Sequence, residues 1–394
     1  MASSPRVLLV LFEGLPGTVI DSQVLVHARE MARTGIAEFE VWAVACSSAL
    51  HRLSVAAQPR AQELAGCPVR VFRGVRPAVP GSTLLNALLL AAAMRGHRPA
   101  FDVLHARTDY TVAVCAFLKH FRRFVLVWDC RGDSVAEFAE RVKPGGALGC
   151  VARAIRLRLL LRDRRRAASA CDRALFVTGT LESLAASLLG DKPRAVIPCA
   201  ASGALFGYDP ALREQARREL GFGPDDPVHI FSGSLAAYQC FDATLSLFAE
   251  IQTANPRAKL LILSPEQEQV RRRLAARPEV SGAVLRSAAI GEVNRYLNAA
   301  DAAFMLREPT ATNRAAFPTK FAEYCLAGLP VIMTQAVPEA HAMAERLGNL
   351  LLPASARSED ALRGYNRARV AEAARACLTR AGTAPRYAEI YRPE

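Results

Sequence analysis

Lys320 and Glu323 stand three residues apart in the stretch FPTKFAEYCLAGLPVIM, residues 317–333. Pro318 suits a first helical position, where its missing N–H costs nothing. The spacing predicts a short helix over 319–326 that carries both charges on one face, near its positive end. Gly328 supplies a left-handed stop, and 329–333 reads as the start of a buried strand. Loop, helix N-terminus, helix, glycine and strand in that order make a ligand site at the edge of a parallel sheet. The helix end attracts phosphate there, and a carboxylate holds sugar hydroxyls. The same residues also fit a plain helix, in which Glu323 caps the end and Lys320 is solvated.

Four more groups of residues have the types and positions for chemistry. Glu13-Gly14-Leu15-Pro16-Gly17-Thr18 follows a strand and precedes a helix. Gly14 and Gly17 either let backbone N–H groups approach a phosphate or form a simple turn. The loop is neither Gly-x-Gly-x-x-Gly nor a P-loop, which argues against nicotinamide, flavin and Walker-type sites. His105 and Arg107 close one strand, and Asp129 and Arg131 the next. Carboxyl ends of parallel strands are where ligands bind, so His105 is a catalytic candidate as well as a structural one. Asp129 and Arg131 fit a salt bridge that orients each by the other and also a hold on acceptor hydroxyls or phosphate, and both uses can be true. Ser232, Gly233 and Ser234 form a glycine turn after a further strand, and Arg307 follows the strand 302–306.

Alternating strands and helices must position these residues. Strands are expected at 7–12, 39–45, 69–72, 103–105, 124–129, 174–177 and 195–198, with helices near 21–33, 84–95, 111–120 and 180–189. A second cycle places strands at 228–232, 259–263, 283–286, 302–306 and 331–333, and helices at 211–220, 242–253, 267–276, 290–299 and 319–326. The fold class is therefore α/β, two Rossmann-like doubly wound parallel sheets in domains 1–200 and 201–375, with a last helix in 376–394. Residues 151–170, VARAIRLRLLLRDRRRAASA, read as a long surface helix, with a membrane-facing helix as the second reading.

At 394 residues and 51% apolar composition the chain can bury two large cores. Ten cysteines without a Cys-x-x-Cys spacing read as reduced thiols of a cytoplasmic protein, with no metal site. No signal peptide is read, and the longest apolar helix candidate, 84–94, is short of the roughly 20 residues of a membrane span. The net charge of +13 is uneven: residues 1–200 hold 27 basic against 16 acidic side chains. A basic N-terminal half fits an anionic partner, such as membrane lipid at the inner face of the cell membrane, a lipid phosphate or an acidic glycan. No aromatic-interleaved basic stripe or nucleic-acid motif appears, so nucleic acid is set aside.

Pro-Thr-Lys-Phe-x-Glu-Tyr-x-x-x-Gly-Leu-Pro-Val-Ile, residues 318–332, resembles the nucleotide-sugar segment of the family-4 retaining glycosyltransferases, in particular their bacterial polysaccharide-type branch. His105-Ala106-Arg107 and Asp129-Cys130-Arg131-Gly132 are similar to segments of that branch. The resemblance is strongest over 302–334 and covers nearly the whole chain. It implies a GT-B architecture, with an acceptor-side and a nucleotide-sugar-binding domain facing across a cleft and a last helix returning to the first domain. It further implies metal-independent transfer of a sugar from a nucleotide-diphosphate donor, with retention, to a glycan, lipid-linked or small-molecule acceptor in bacterial surface polysaccharide or glycoconjugate synthesis. No cofactor beyond the donor substrate is implied.

By this resemblance Glu323 binds ribose, Gly14, Gly17, Ser232, Gly233 and Ser234 lie beside the donor phosphates, and His105, Arg107, Asp129 and Arg131 face the acceptor or the transferred sugar. The chain departs from the broader family by carrying Ser234 and Gln239 where that family has a pyrophosphate-binding Arg and Lys. Arg307 and Lys320 are the expected substitutes on the leaving diphosphate. Ala315 stands in place of a second Glu, and Phe317 in place of a Ser. These losses also fit a non-catalytic GT-B subunit that binds a partner glycosyltransferase; a nucleotide-sugar epimerase shares the architecture.

Overall fold

The computed structural model describes residues 4–393 apart from 78, 98–99, 144, 359 and 361. Two compact units form, one of Met1–Pro198 with Thr383–Glu394, the other of Cys199–Gly382.

The first unit contains β1 (Arg6–Leu11), β2 (Glu38–Ala45), β3 (Val69–Arg73), β4 (Val103–Arg107), β5 (Val125–Cys130), β6 (Arg173–Phe176) and β7 (Arg194–Val196). All pairings are parallel, in the order β3-β2-β1-β4-β5-β6-β7. Every residue of β4 and β5 is buried, the pattern of strands covered on both faces. β1 pairs β2 on one side and β4 on the other, so the winding reverses between β1 and β4. At such a switch point the loops on either side diverge and leave a crevice at the carboxyl ends.

The second unit contains β8 (Val228–Ser232), β9 (Lys259–Leu263), β10 (Val284–Arg286), β11 (Ala302–Met305), β12 (Val331–Met333) and β13 (Leu350–Leu351), in the parallel order β10-β9-β8-β11-β12-β13. Its switch point falls between β8 and β11. Phe231, Phe248, Phe304, Ile262 and Ile332 fill one side of this sheet.

The return to the first unit begins at residue 383, seven residues later than the expected 376. The helix Arg367–Leu378 packs on the helix Thr319–Leu326, and Ala201 N–H donates to the Leu378 carbonyl (2.9 Å), which ties 367–382 to the second unit. Ala384, Tyr387, Ile390 and Tyr391 then enter the core of the first unit beside Val7, Leu9 and Val41.

Several elements carry no clear periodic signal in the sequence. The helix Ser48–Ala65 runs unbroken through Pro59, a residue that argues against a helix, and buries only Ser54, Ala61 and Ala65. The helices Ser134–Arg141, Pro338–Leu347 and Arg367–Leu378 and the two-residue β13 also went unpredicted. The expected helix 111–120 is an α-helix, Asp109–Cys115, continued by a tighter 3₁₀ turn, Ala116–His120.

Candidate active site

At the switch point of the first unit the charged side chains close on one another. His105 on β4 directs Nε2 to Asp129 Oδ2 (3.0 Å), while its Nδ1 meets the Tyr391 hydroxyl (2.8 Å). Arg131 Nε donates to the same Asp129 oxygen at 2.7 Å, and Arg107 Nε donates to Glu13 at 2.9 Å. Burial would raise the Asp129 carboxyl, but Arg131, His105 and Arg107 together outweigh it and hold the group well below the usual carboxylate range. His105 is 1% exposed with both ring nitrogens engaged. From the sequence His105 reads as a catalytic candidate as well as a structural residue; its contacts make it a buried link between β5 and the returning segment. Asp129 and Arg131 form the expected salt bridge, a use read as compatible with acceptor contact. Arg107 keeps one buried nitrogen, Nη1, without a hydrogen-bond partner.

Gly14 has φ +69°, and a Cβ there would lie 2.9 Å from Leu50 and 3.1 Å from Ser54. Leu15 N–H donates to Ser54 Oγ at 2.8 Å, and that hydroxyl donates back to the Leu15 carbonyl. Packing against the helix Ser48–Ala65 thus accounts for this glycine without a ligand. Gly17 is extended, at φ −174°, and precedes the short helix Thr18–Ile20.

The switch point of the second unit is different. Lys320 Nζ donates to the Ser232 carbonyl (2.6 Å) and to Gln239 Oε1 (2.5 Å). Arg307, just past β11, sends Nη1 to the same Gln239 oxygen (2.7 Å) and to the Tyr238 carbonyl (2.7 Å). Two cations therefore share one neutral amide oxygen, and neither makes an ion pair with a carboxylate among the described residues. Arg307 also lies over the Tyr238 ring and Lys320 over Phe231. Gly233, at φ +147°, makes this approach possible, since a Cβ would come within 2.8 Å of Lys320 Nζ. Arg314 points elsewhere, to the Pro309 carbonyl.

Lys320 and Glu323 are carried by the helix Thr319–Leu326. Gly328 stops it at φ +69°, and a Cβ there would collide with the Arg367 carbonyl, so glycine is required twice over. Burial, with repulsion from Arg307, pushes the Lys320 ammonium well below its ordinary range. Burial pushes the Glu323 carboxyl up to about 7 against the opposing pull of Lys320 and Arg380. No hydrogen bond or ion pair engages the half-buried Glu323 carboxylate among the described residues. Two neighbours were not singled out as site residues from the sequence. Gln239 registered there only as a departure from a family pattern, and Glu266 accepts from Leu235 N–H just after Ser234.

A cavity of about 290 Å³ lies at the amino end of the same sheet, lined by Arg213, Asp301, Tyr365 and Arg367 among others. Its arginines are already engaged: Arg213 and Arg367 donate to carbonyls at the end of the helix Val293–Ala299, and Arg213 also pairs with Asp301.

Residues 213–368 match the family model of the glycosyl transferases group 1. That span holds Ser232 to Gln239, Arg307, Lys320 and Glu323, and none of the first-unit candidates. A search of the curated proteins gave no match. Among solved structures, HepE of Anabaena in complex with UDP aligns with TM-score 0.69 and 15% identity over 98% of this chain and 99% of that chain. Sucrose-phosphate synthase of Thermosynechococcus elongatus aligns with TM-score 0.63 and 14% identity over 98% of both chains. WaaG, a glycosyltransferase involved in lipopolysaccharide biosynthesis, aligns with TM-score 0.59 and 14% identity over 97% of this chain and 95% of that one. With its two parallel-sheet α/β units, the chain has the GT-B fold.

Proposed function

We propose that the protein is a retaining glycosyltransferase that takes its sugar from a nucleotide-diphosphate donor held by the second unit. The observation that carries this reading is the pair of cations, Arg307 and Lys320, converging on Gln239 Oε1 with no ion pair to a carboxylate among the described residues. A diphosphate is the kind of ligand that such a pair lacks. Its oxygens displace the amide oxygen, regain the charge-assisted bonds that the neutral amide cannot supply, and relieve the repulsion between the cations. The family match over the same residues supports the assignment.

In the reaction the bond between the anomeric carbon and the diphosphate oxygen breaks, and its electron pair stays on the diphosphate. Arg307 and Lys320 stabilise that growing charge in a site already oriented for it. The acceptor hydroxyl attacks the anomeric carbon from the face the diphosphate leaves, and its proton passes to a departing phosphate oxygen. Configuration is retained, no covalent enzyme intermediate forms, and no metal or resident cofactor is required by this scheme. Glu323 accepts hydrogen bonds from the ribose hydroxyls, and Ser232 to Ser234 supply the turn beside the phosphates. Arg107, with one nitrogen unengaged, is the acceptor-side candidate. The acceptor is a glycan or a lipid-linked intermediate of bacterial surface polysaccharide or glycoconjugate synthesis, with the enzyme cytoplasmic or peripheral at the inner face of the membrane.

A second reading, a GT-B subunit that binds a partner enzyme without catalysing transfer, is favoured by Glu266. Its carboxylate occupies Leu235 N–H at the turn where phosphate would approach. One experiment separates the two. Thermal shifts are measured with nucleotide diphosphates and nucleotide sugars on wild type, Glu323→Ala and Arg307→Ala. A shift with one base that is lost in both variants supports donor binding and names the base. No shift with any nucleotide sinks the transferase reading in favour of the partner subunit.

A further inference from the structure

We infer that the first unit has a docking face for an anionic lipid bilayer, built on the helices Ser82–Arg95 and Gly146–Ala170. Both pack on the helix Asp109–Cys115, every residue of which is buried, so they lie on the same side of the sheet. On the longer helix Leu148, Val151 and Ile155 follow one another at helical spacing and are 87%, 57% and 52% exposed. Arg158, Arg162 and Arg166 continue the same stripe, also exposed. Surface helices of globular domains bury their apolar stripe; this one turns it outward.

The shorter helix repeats the arrangement independently. Leu84, Leu85 and Leu88 are 50%, 52% and 47% exposed, and the helix ends in exposed Arg95. Its inward face, Asn86, Ala87, Leu90 and Ala91, is buried as expected. Two neighbouring helices thus each present an apolar patch followed by arginine.

Charge selects the occupant. The longer helix carries seven arginines against one acidic residue, and Arg158, Arg162 and Arg166 make no ion pair among the described residues. A covering surface must therefore be apolar and anionic within a few ångströms, which describes the boundary between acyl chains and phosphate headgroups. Guanidinium groups bind phosphate oxygens in pairs, and the leucines enter the acyl layer beside them. No helix among the described residues is long and apolar enough to cross a membrane, so contact is with the surface.

The test is sedimentation of the full chain with vesicles of phosphatidylcholine, with and without phosphatidylglycerol. Binding is expected only with phosphatidylglycerol, weakening as salt rises. Leu148→Gln, Val151→Gln and Ile155→Gln combined should abolish it. Replacing Arg158, Arg162 and Arg166 by Gln should weaken it on the order of 100-fold, at about fivefold per cation. Leu84→Gln with Leu88→Gln is a second variant on a different helix, and unchanged melting curves verify that each variant folds. Equal binding to both vesicle types, or full binding by folded variants, overturns the proposal. So does a dimer in light scattering that the leucine variants dissolve while wild type ignores vesicles, because the face then covers a second copy.

Discussion

The two switch points of this molecule are built alike and finished differently. Each lies where the order of a parallel sheet reverses, and each gathers arginines at carboxyl strand ends. In the first unit every cation there meets a carboxylate: Arg107 meets Glu13, and Arg131 meets Asp129, which also holds His105. In the second, the hydrogen bonds of Arg307 and Lys320 among the described residues go to carbonyl and amide oxygens, and Glu323, within electrostatic reach of Lys320 and Arg380, makes no hydrogen bond or ion pair there. A buried charge that is already paired gains little from a ligand, whereas one held by a neutral dipole gains the full charge-assisted bond. Position in the fold nominates both places; they differ in whether their cations are already neutralised.

The largest effect expected from this contrast is on transfer itself. Arg307→Ala or Lys320→Ala should lower the rate of transfer by roughly 10²–10³, the scale of losing one charge-stabilising donor. Asp129→Asn should leave nucleotide-induced thermal shifts unchanged. Equal loss of nucleotide binding in both sets would break the comparison.

Next come the glycines. Gly233→Ala forces a non-glycine residue to φ +147° against Lys320, so melting temperature and nucleotide binding should both fall, with about 1–3 kcal/mol of strain. Gly14→Ala, against Leu50 and Ser54, should lower stability and leave nucleotide binding intact. Titration calorimetry beside thermal melts reads both.

Tyr391→Phe removes the hydroxyl from His105 Nδ1 and should cost about 1–3 kcal/mol in denaturant unfolding, with unchanged nucleotide affinity. Changed affinity at constant stability would tie His105 to the bound nucleotide sugar as well.

The smallest effect is a pH profile. Glu323 is raised from 4.5 to about 7, with Lys320 and Arg380 acting against the rise. The folded state holds a proton through that window that the unfolded chain has released, so stability falls as pH climbs from 4.5 to about 7. Nucleotide affinity should move the other way, rising as the carboxylate forms to accept ribose hydroxyls. Glu323→Gln should flatten both curves.

The parts legible in the sequence were those with local causes. The helix carrying Lys320 and Glu323 follows from three-residue spacing, Pro318 and Gly328, all within one short stretch. Parallel strands announce themselves as continuous apolar runs. The closing of His105 was not legible, because its partner Tyr391 lies 286 residues away. Nor was the role of Gln239, which depends on the 3₁₀ turn Ala237–Gln239 folding it back under Arg307. For Gly14, spacing alone did not report the helix packed behind it, at Leu50 and Ser54. For 151–170 the sequence favours an ordinary surface helix over a membrane-facing one, since the pattern shows a stripe but not which way it turns.

Tyr387, Ile390 and Tyr391 complete the core of the unit whose strands are made first. On the ribosome the first sheet therefore waits, missing one of its walls, until residue 391 has emerged. The second unit is one continuous stretch, 199–382, and can finish while the first is still incomplete. The unit begun first is therefore closed last in the sequence, by residues made after the whole of the second unit.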